Sequence, residues 1–451
     1  MARFMKSNTL DETVAQRHAA RAVANAAWHA LLWLVIANAI GVMLAILLLV
    51  PALNPLLGEW TYGRWIMVHM NLELYGWTSL PLVGLLFRVY GADRGPAAEW
   101  CRPVLWVWSA ALGVGALSWL SGYSSGKLFL DWSGYARVLF PAALLAVWLL
   151  LAFAFIKSWS RSENFSVAAL AAKLIGLLIL LVVPFVLYLA ASPSGYPPVN
   201  PDSGGPTGAS QLESSLAIVA ILLMLPFGIT RRNAANRGII ATGWIVLAAE
   251  CVLCAALGRA DISHHRPAQY LSLGSLLLWL PLTPAYYAAF EWHSNTRRWR
   301  LAFLCWWAAL LVTGWVFFLP GVLDHFKFTD GLVGHSFIAM AGFTSSLIIF
   351  VMVQLLGDGG WIFNRARSFY LWNGSVVAYI VLMTIAGWRE GFDPTFTIVP
   401  GTARNVLYAL RLLTGILMFL ASLDWLLDAS TLLREAGSVS LPTNPAQEKT
   451  S

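Results

Sequence analysis

The chain is poor in charge. Only 11% of its 451 residues are Asp, Glu, Lys or Arg, while 59% are hydrophobic; an average soluble domain is about 25% charged. So few charges cannot cover a water-soluble surface, which excludes an ordinary cytosolic enzyme. Cysteine is scarce too. The four residues Cys101, Cys251, Cys254 and Cys305 imply no disulfide framework, and no CxxCH stretch offers a covalent c-type haem attachment. Cys251 and Cys254 form a CxxC pair inside an apolar run. No second Cys or His pair matches its depth, so it reads as ordinary apolar cysteine. No internal repeat is apparent. A transporter with Glu73, Glu250 and Lys173 lining a path therefore ranks last, because transporters often show repeats.

What the chain has is apolar runs long enough to cross a bilayer of about 30 Å. They lie near 28–52, 64–90, 103–122, 136–157, 167–191, 212–230, 238–258, 270–291, 299–320, 331–357, 368–388 and 403–427. The expectation is an all-α polytopic membrane bundle of about twelve transmembrane helices over 28–428. A polar N-terminal segment, 1–27, precedes it and a polar tail, 429–451, follows. The first run is too long for a signal-peptide core and lacks a small-residue cleavage site, so it reads as an uncleaved helix. The stretch SPSGYPPVNPDSGGPTGAS (192–210) reads as a solvated connector.

Lys and Arg orient the bundle. With the N-terminus inside, 19 of the 29 fall in inner segments and 8 in outer loops; Lys173 and Arg411 lie within spans. This bias obeys the positive-inside rule and places both termini in the cytoplasm. The net charge of +7 then reflects anchoring at the inner face and gives no argument for nucleic acid.

Histidine is sparse, 8 in all. In this topology His69 lies about five residues into the second span from its outer end, roughly 7–8 Å deep at 1.5 Å per residue. His335 lies at a similar depth in the tenth. His264 and His265 stand just beyond the outer end of the seventh span, and Glu213 at the outer start of the sixth. Ionisable groups in a membrane are costly and mark functional sites, and imidazole ligates haem iron, copper and zinc. Shared depth on four helices therefore points to a cofactor site near the outer face. His18, His29 and His293 fall on the inner side, and His325 reads as a solvated loop residue. Glu73, four residues after His69, shares its helix face.

These residues carry a resemblance. GRWIMVHMNLELYGW around His69, SGKLFLDW (125–132), HHRPAQYLSLGSLLLWLP from His264, TDGLVGHSF around His335, GWRE (387–390) and YALRLLTG (408–415) occur in an order that resembles subunit I of the haem–copper oxidase superfamily, closest to the cbb3-type oxidases and their nitric oxide reductase relatives. The resemblance implies a twelve-helix respiratory subunit in the bacterial inner membrane, binding one or two haems, of b type. His69 would be an axial ligand of a low-spin haem and His335 of a high-spin haem. His264, His265 and Glu213 would hold a non-haem metal, copper or iron. Arg389 would pair with a haem propionate, ahead of Arg411. Electrons would come from cytochrome c or a c-type cytochrome subunit and go to dioxygen or another small gas such as nitric oxide.

The same resemblance marks departures. Phe337 stands where the family has a second histidine on the tenth helix. Glu213 or Ser214 replaces a metal histidine, and Gly258 replaces a redox tyrosine. The alternative is a homologue that binds haem, or serves electron transfer or scaffolding, without oxygen chemistry.

Overall fold

A computed structural model describes residues 2–124, 130–160, 167–192, 210–233, 236–257 and 265–438, with side chains left aside for 2–19, 160, 210–211 and 436–438. His264, Gly258, most of the 192–210 connector and residues 125–129 of SGKLFLDW lie outside the described residues. In chain order the helices are α1 (Ala2–Leu49), α2 (Tyr62–Asn71), α3 (Ser79–Tyr90), α4 (Ala98–Leu120), α5 (Ala136–Ser160) and α6 (Val167–Ala190). They continue with α7 (Ser210–Ile229), α8 (Arg237–Leu257), α9 (Pro267–Gly274), α10 (Trp279–Ala288) and α11 (Arg297–Phe317). The last are α12 (Val322–Phe326), α13 (Asp330–Phe337), α14 (Ser345–Leu356), α15 (Ala366–Phe392) and α16 (Thr402–Ser438). This is an all-α polytopic membrane bundle. Ten helical stretches among the described residues are long and apolar enough to cross a membrane.

Two helices run beyond their apolar spans into polar sequence. The polar segment 1–27 belongs to α1, which is helical from Ala2; no Gly or Pro occurs before Gly41, so nothing stops the helix from propagating outward. Likewise α16 runs past 428 to Ser438, its next glycine being Gly437.

Helix packing inside lipid depends on close approach more than on the hydrophobic effect. α1 supplies it with small residues: Ala22, Ala26, Ala30 and Ala37 are buried. Gly84 of α3 faces Ala26 so closely that an added Cβ would sit 2.9 Å from the alanine Cβ. α1 also lies along α16.

The two ends of the bundle differ in chemistry. At one, a two-residue ladder pairs Arg231–Arg232 (β1) with Phe290–Glu291 (β2), Arg365 meets Asp428 at 2.7 Å and Arg298 donates to the Asn364 carbonyl. This is the basic end. At the other, Arg404 donates to the Leu48 carbonyl at 2.7 Å, Arg64 donates to that of Leu120, and Glu390 accepts from the Asp330 N–H at 2.6 Å.

The bundle contains a repeat that the sequence reading did not find. Seven residues after His69 comes GWTS (76–79); seven after His335 comes GFTS (342–345). Both stretches lie at a π-helical turn, Leu72–Thr78 between α2 and α3 and Ile338–Thr344 between α13 and α14. α3 and α14 then run 12 residues each and stop at Gly91 and Gly357, both with positive φ. A π turn has i→i+5 bonding and leaves backbone carbonyls short of donors. The same devices supply them twice. Ser79 donates to Leu74 O at 2.8 Å and Ser345 to Met340 O at 3.0 Å. From the next long helix, Trp108 donates to Tyr75 O at 2.9 Å and Trp372 to Ala341 O at 3.1 Å. The preceding helix contributes Trp33 in one unit and Trp306 in the other, each against the π-turn glycine, Gly76 or Gly342. Their indoles donate to the residues beside the capping tryptophans, Ser109 and Asn373.

Candidate functional site

The repeat places its two histidines alike. His69 and His335 each stand three residues before a π turn, toward the same end of their helices. In both units a glycine eight residues after the packing tryptophan, Gly41 or Gly314, lies against the imidazole. An added Cβ would come to 3.0 Å from His69 Cε1 or 3.7 Å from His335 Cε1. The glycines let each ring lie on the backbone of the neighbouring helix.

The neighbouring helix also fixes the ring nitrogens. His69 Nδ1 is 2.8 Å from the Ala37 carbonyl. A carbonyl only accepts, so Nδ1 carries the proton. His335 Nδ1 is 3.2 Å from Thr313 Oγ1, and that hydroxyl donates its one hydrogen to Ala309 O at 2.7 Å. Each ring thus has Nδ1 held by an oxygen of the neighbouring helix, which fixes its orientation. His335 Nε2 has no hydrogen-bond partner among the described residues. His69 Nε2 faces Glu73 Oε1 at 3.7 Å, as the i,i+4 spacing predicts.

Phe337 stacks on Tyr379 of α15, ring centroids 3.8 Å apart and 19° from parallel. Arg411 of α16 lies over the same tyrosine at 5.4 Å and pairs with Asp330 at 3.7 Å. Tyr408 donates to Asp330 at 3.4 Å. This polar group of α13, α15 and α16 is the part of the site the sequence reading missed, because only Arg411 was singled out in it. Arg389 is exposed at the end of α15.

No protein-family model matches the chain, and no curated protein matches it either.

Of the other expected ligands, His264 lies outside the described residues. His265 is exposed and lies 3.5 Å from Asp324; Glu213 is exposed on α7. Among the described residues no three His, Cys, Asp or Glu side chains surround a common point. The CxxC cysteines sit on α8, Cys251 exposed and Cys254 half-buried. His325 is not a solvated loop residue. It belongs to α12, its Nε2 meets Trp388 O at 3.0 Å, and its ring packs on Trp388 and Phe392. The cause is Gly391, whose missing side chain leaves the space that the His325 ring fills. His29 is buried against Ser109 at 2.8 Å, and Glu250, buried in α8, accepts from Trp279 of α10 at 2.7 Å. Of SGKLFLDW, Asp131 and Trp132 are buried; the Asp131 carbonyl accepts from Trp119 at 2.7 Å and Trp132 stacks on Phe140.

Proposed function

We propose that the chain is a haem-binding electron-transfer subunit of a bacterial inner membrane, a divergent relative of the haem–copper oxidase subunit I with its twelve-helix architecture. Two further helical runs, Tyr62–Tyr90 through its π turn and Pro267–Ala288, would bring the spans to twelve. One observation carries the reading: His69 and His335 occupy equivalent places in a structural repeat, each with Nδ1 against an oxygen of the neighbouring helix, while Nε2 faces Glu73 in His69 and has no hydrogen-bond partner among the described residues in His335. Haem iron, when bound, supplies one-electron redox chemistry and a coordination site for a small gas. The chain's own residues do the rest. Ala37 and Thr313 orient the rings, the glycines admit them, and Arg411 offers a guanidinium near the Phe337 turn. Arg389 would reach a propionate only from the exposed end of α15.

The residues fit haem better than they fit the non-haem metal. His265 and Glu213 do not converge with a third ligand among the described residues, so no step is assigned to copper or iron there. Electrons would enter from cytochrome c or a c-type cytochrome subunit, and dioxygen or nitric oxide would be the acceptor. A second reading, a haem-binding homologue without oxygen chemistry, is favoured by Phe337, which stacks on Tyr379 where the resemblance calls for a second axial histidine. Spectra of the purified protein, reduced minus oxidised, test the shared core of both readings: b-type bands are expected, and their absence overturns both. Consumption of dioxygen or nitric oxide with reduced cytochrome c then separates them.

A further inference from the structure

The two histidine-bearing runs touch each other. Trp77, at the end of the first π turn, donates to Ser345 Oγ, just past the second, at 2.9 Å in a buried contact. These partners stand 268 positions apart in the chain. A contact nearer the outer ends of α2 and α13 has the same offset: the Tyr62 hydroxyl lies in the fields of Asp330 and Arg411. The runs therefore lie side by side in one register, each with a single π turn between the two contacts. In that register the partner of His69 is Phe337, and His335 stands two residues off it. Residues seven apart on a helix point within about 20° of one another. His69 thus shares the face of Tyr62, and Phe337 the face of Asp330. Neither side chain is closed off by packing: His69 is 21% exposed inside the bundle and Phe337 is half-buried.

Resting on the haem reading above, we propose that a haem ligated by His69 has no second protein ligand and binds a small uncharged diatomic gas on the side of Phe337. Haem iron takes one axial ligand on each face, and the polarity and donors of the free side decide what binds there. A phenyl ring has no donor atom, nor has Val333, one turn before it. Phe337 is pinned by its stack on Tyr379, whose hydroxyl is engaged by Arg411. Glu73 is on the same helix as His69 and so on the same side of the haem. Met418 of α16 is buried between Gly415, which lies by Val42, and Ser422, which accepts from Asn38; it faces α1 instead. An apolar wall disfavours a charged ligand and tolerates a neutral one. Each unit of the repeat then gives one histidine to one haem, in keeping with the matching places of His69 and His335.

The test is carbon monoxide titration of reduced His335→Ala, full-length and purified in detergent, read by optical spectra. A five-coordinate high-spin haem that converts to its carbon monoxide form is expected. Phe337→His in the same background should supply a second ligand, giving a six-coordinate low-spin spectrum and loss of the carbon monoxide response; Phe337→Leu should keep that response. A His335→Ala haem that is low-spin and indifferent to carbon monoxide overturns this inference and leaves the haem reading standing. So does a His335→Ala chain without haem beside a wild type that holds it, whereas a haem-free wild type overturns both. Should His335→Ala not fold, the wild type decides. Carbon monoxide bound per haem is expected to fall in Phe337→His and to hold in Phe337→Leu; an equal ratio in both overturns the inference.

Discussion

At the scale of single residues, the chemistry rests on where protons sit. The Ala37 carbonyl, which only accepts, puts the proton of His69 on Nδ1, and Thr313 Oγ1 holds His335 Nδ1 at 3.2 Å. The two histidines were legible in the sequence because imidazole is rare there and costly in a membrane. Their supports were not, since a backbone carbonyl has no letter of its own and Thr313 looks like any threonine in an apolar run. Asp93, in the loop before α4, shows the opposite effect of burial on a charge. Burial raises its pKa above the usual 3.8, with Arg88 and Arg94 opposing. A carboxyl whose folded pKa is raised binds its proton more tightly when folded. Its contribution to stability is full below about 3.8 and is lost as pH rises through the raised value. Asp93→Asn is therefore expected to flatten this loss: the wild type should lose thermal stability relative to the variant as pH rises from about 4 toward neutrality, read by unfolding in detergent. A difference that grows the other way would contradict the assignment.

Among elements, the π turns are the informative feature. Each interrupts a helix just after the histidine, and each is closed by a serine from its own helix and a tryptophan from the next. If Trp108 and Trp372 do the same work, Trp108→Phe and Trp372→Phe should cost similar stability, about 1–3 kcal/mol each, the penalty for an unpaired buried polar group. Thermal unfolding of both variants checks this; a cost confined to one unit would mean the repeat is shape without shared function. The motif GWTS/GFTS was in plain view at a fixed spacing from each histidine. It escaped the sequence reading because two four-residue matches 266 positions apart have no weight until the capping hydrogen bonds and matched helix lengths show them to be one structure. The long helices were legible from apolar length alone. The outer limits of α1 and α16 were not, since polarity ends a membrane span while only Gly, Pro or lost hydrogen bonding ends a helix.

At the scale of the whole molecule, ten apolar helical stretches among the described residues define a membrane bundle whose two ends differ in charge; the positive-inside rule leads to the expectation that the basic end faces the cytoplasm. Reporter fusions test this together with the spanning of Tyr62–Tyr90. A fusion after Gly58 should report the outer side and one after Arg94 the inner side; the same side for both would mean that this run does not cross. The convergence of His264, His265 and Glu213 was inferred from shared depth, a one-dimensional quantity. Depth cannot say which helices are neighbours; of this set His264 lies outside the described residues, and His265 lies 3.5 Å from Asp324. The central claim is that the imidazoles of His69 and His335 are haem ligands. It is tested most directly by haem content per chain, measured as the pyridine haemochrome of wild type, His69→Ala and His335→Ala purified side by side. The account predicts b-type haem in the wild type and a loss of about one haem, or of the single haem present, in at least His335→Ala, with α-helix content unchanged. Haem-free wild-type protein, or full haem in both variants, would contradict it.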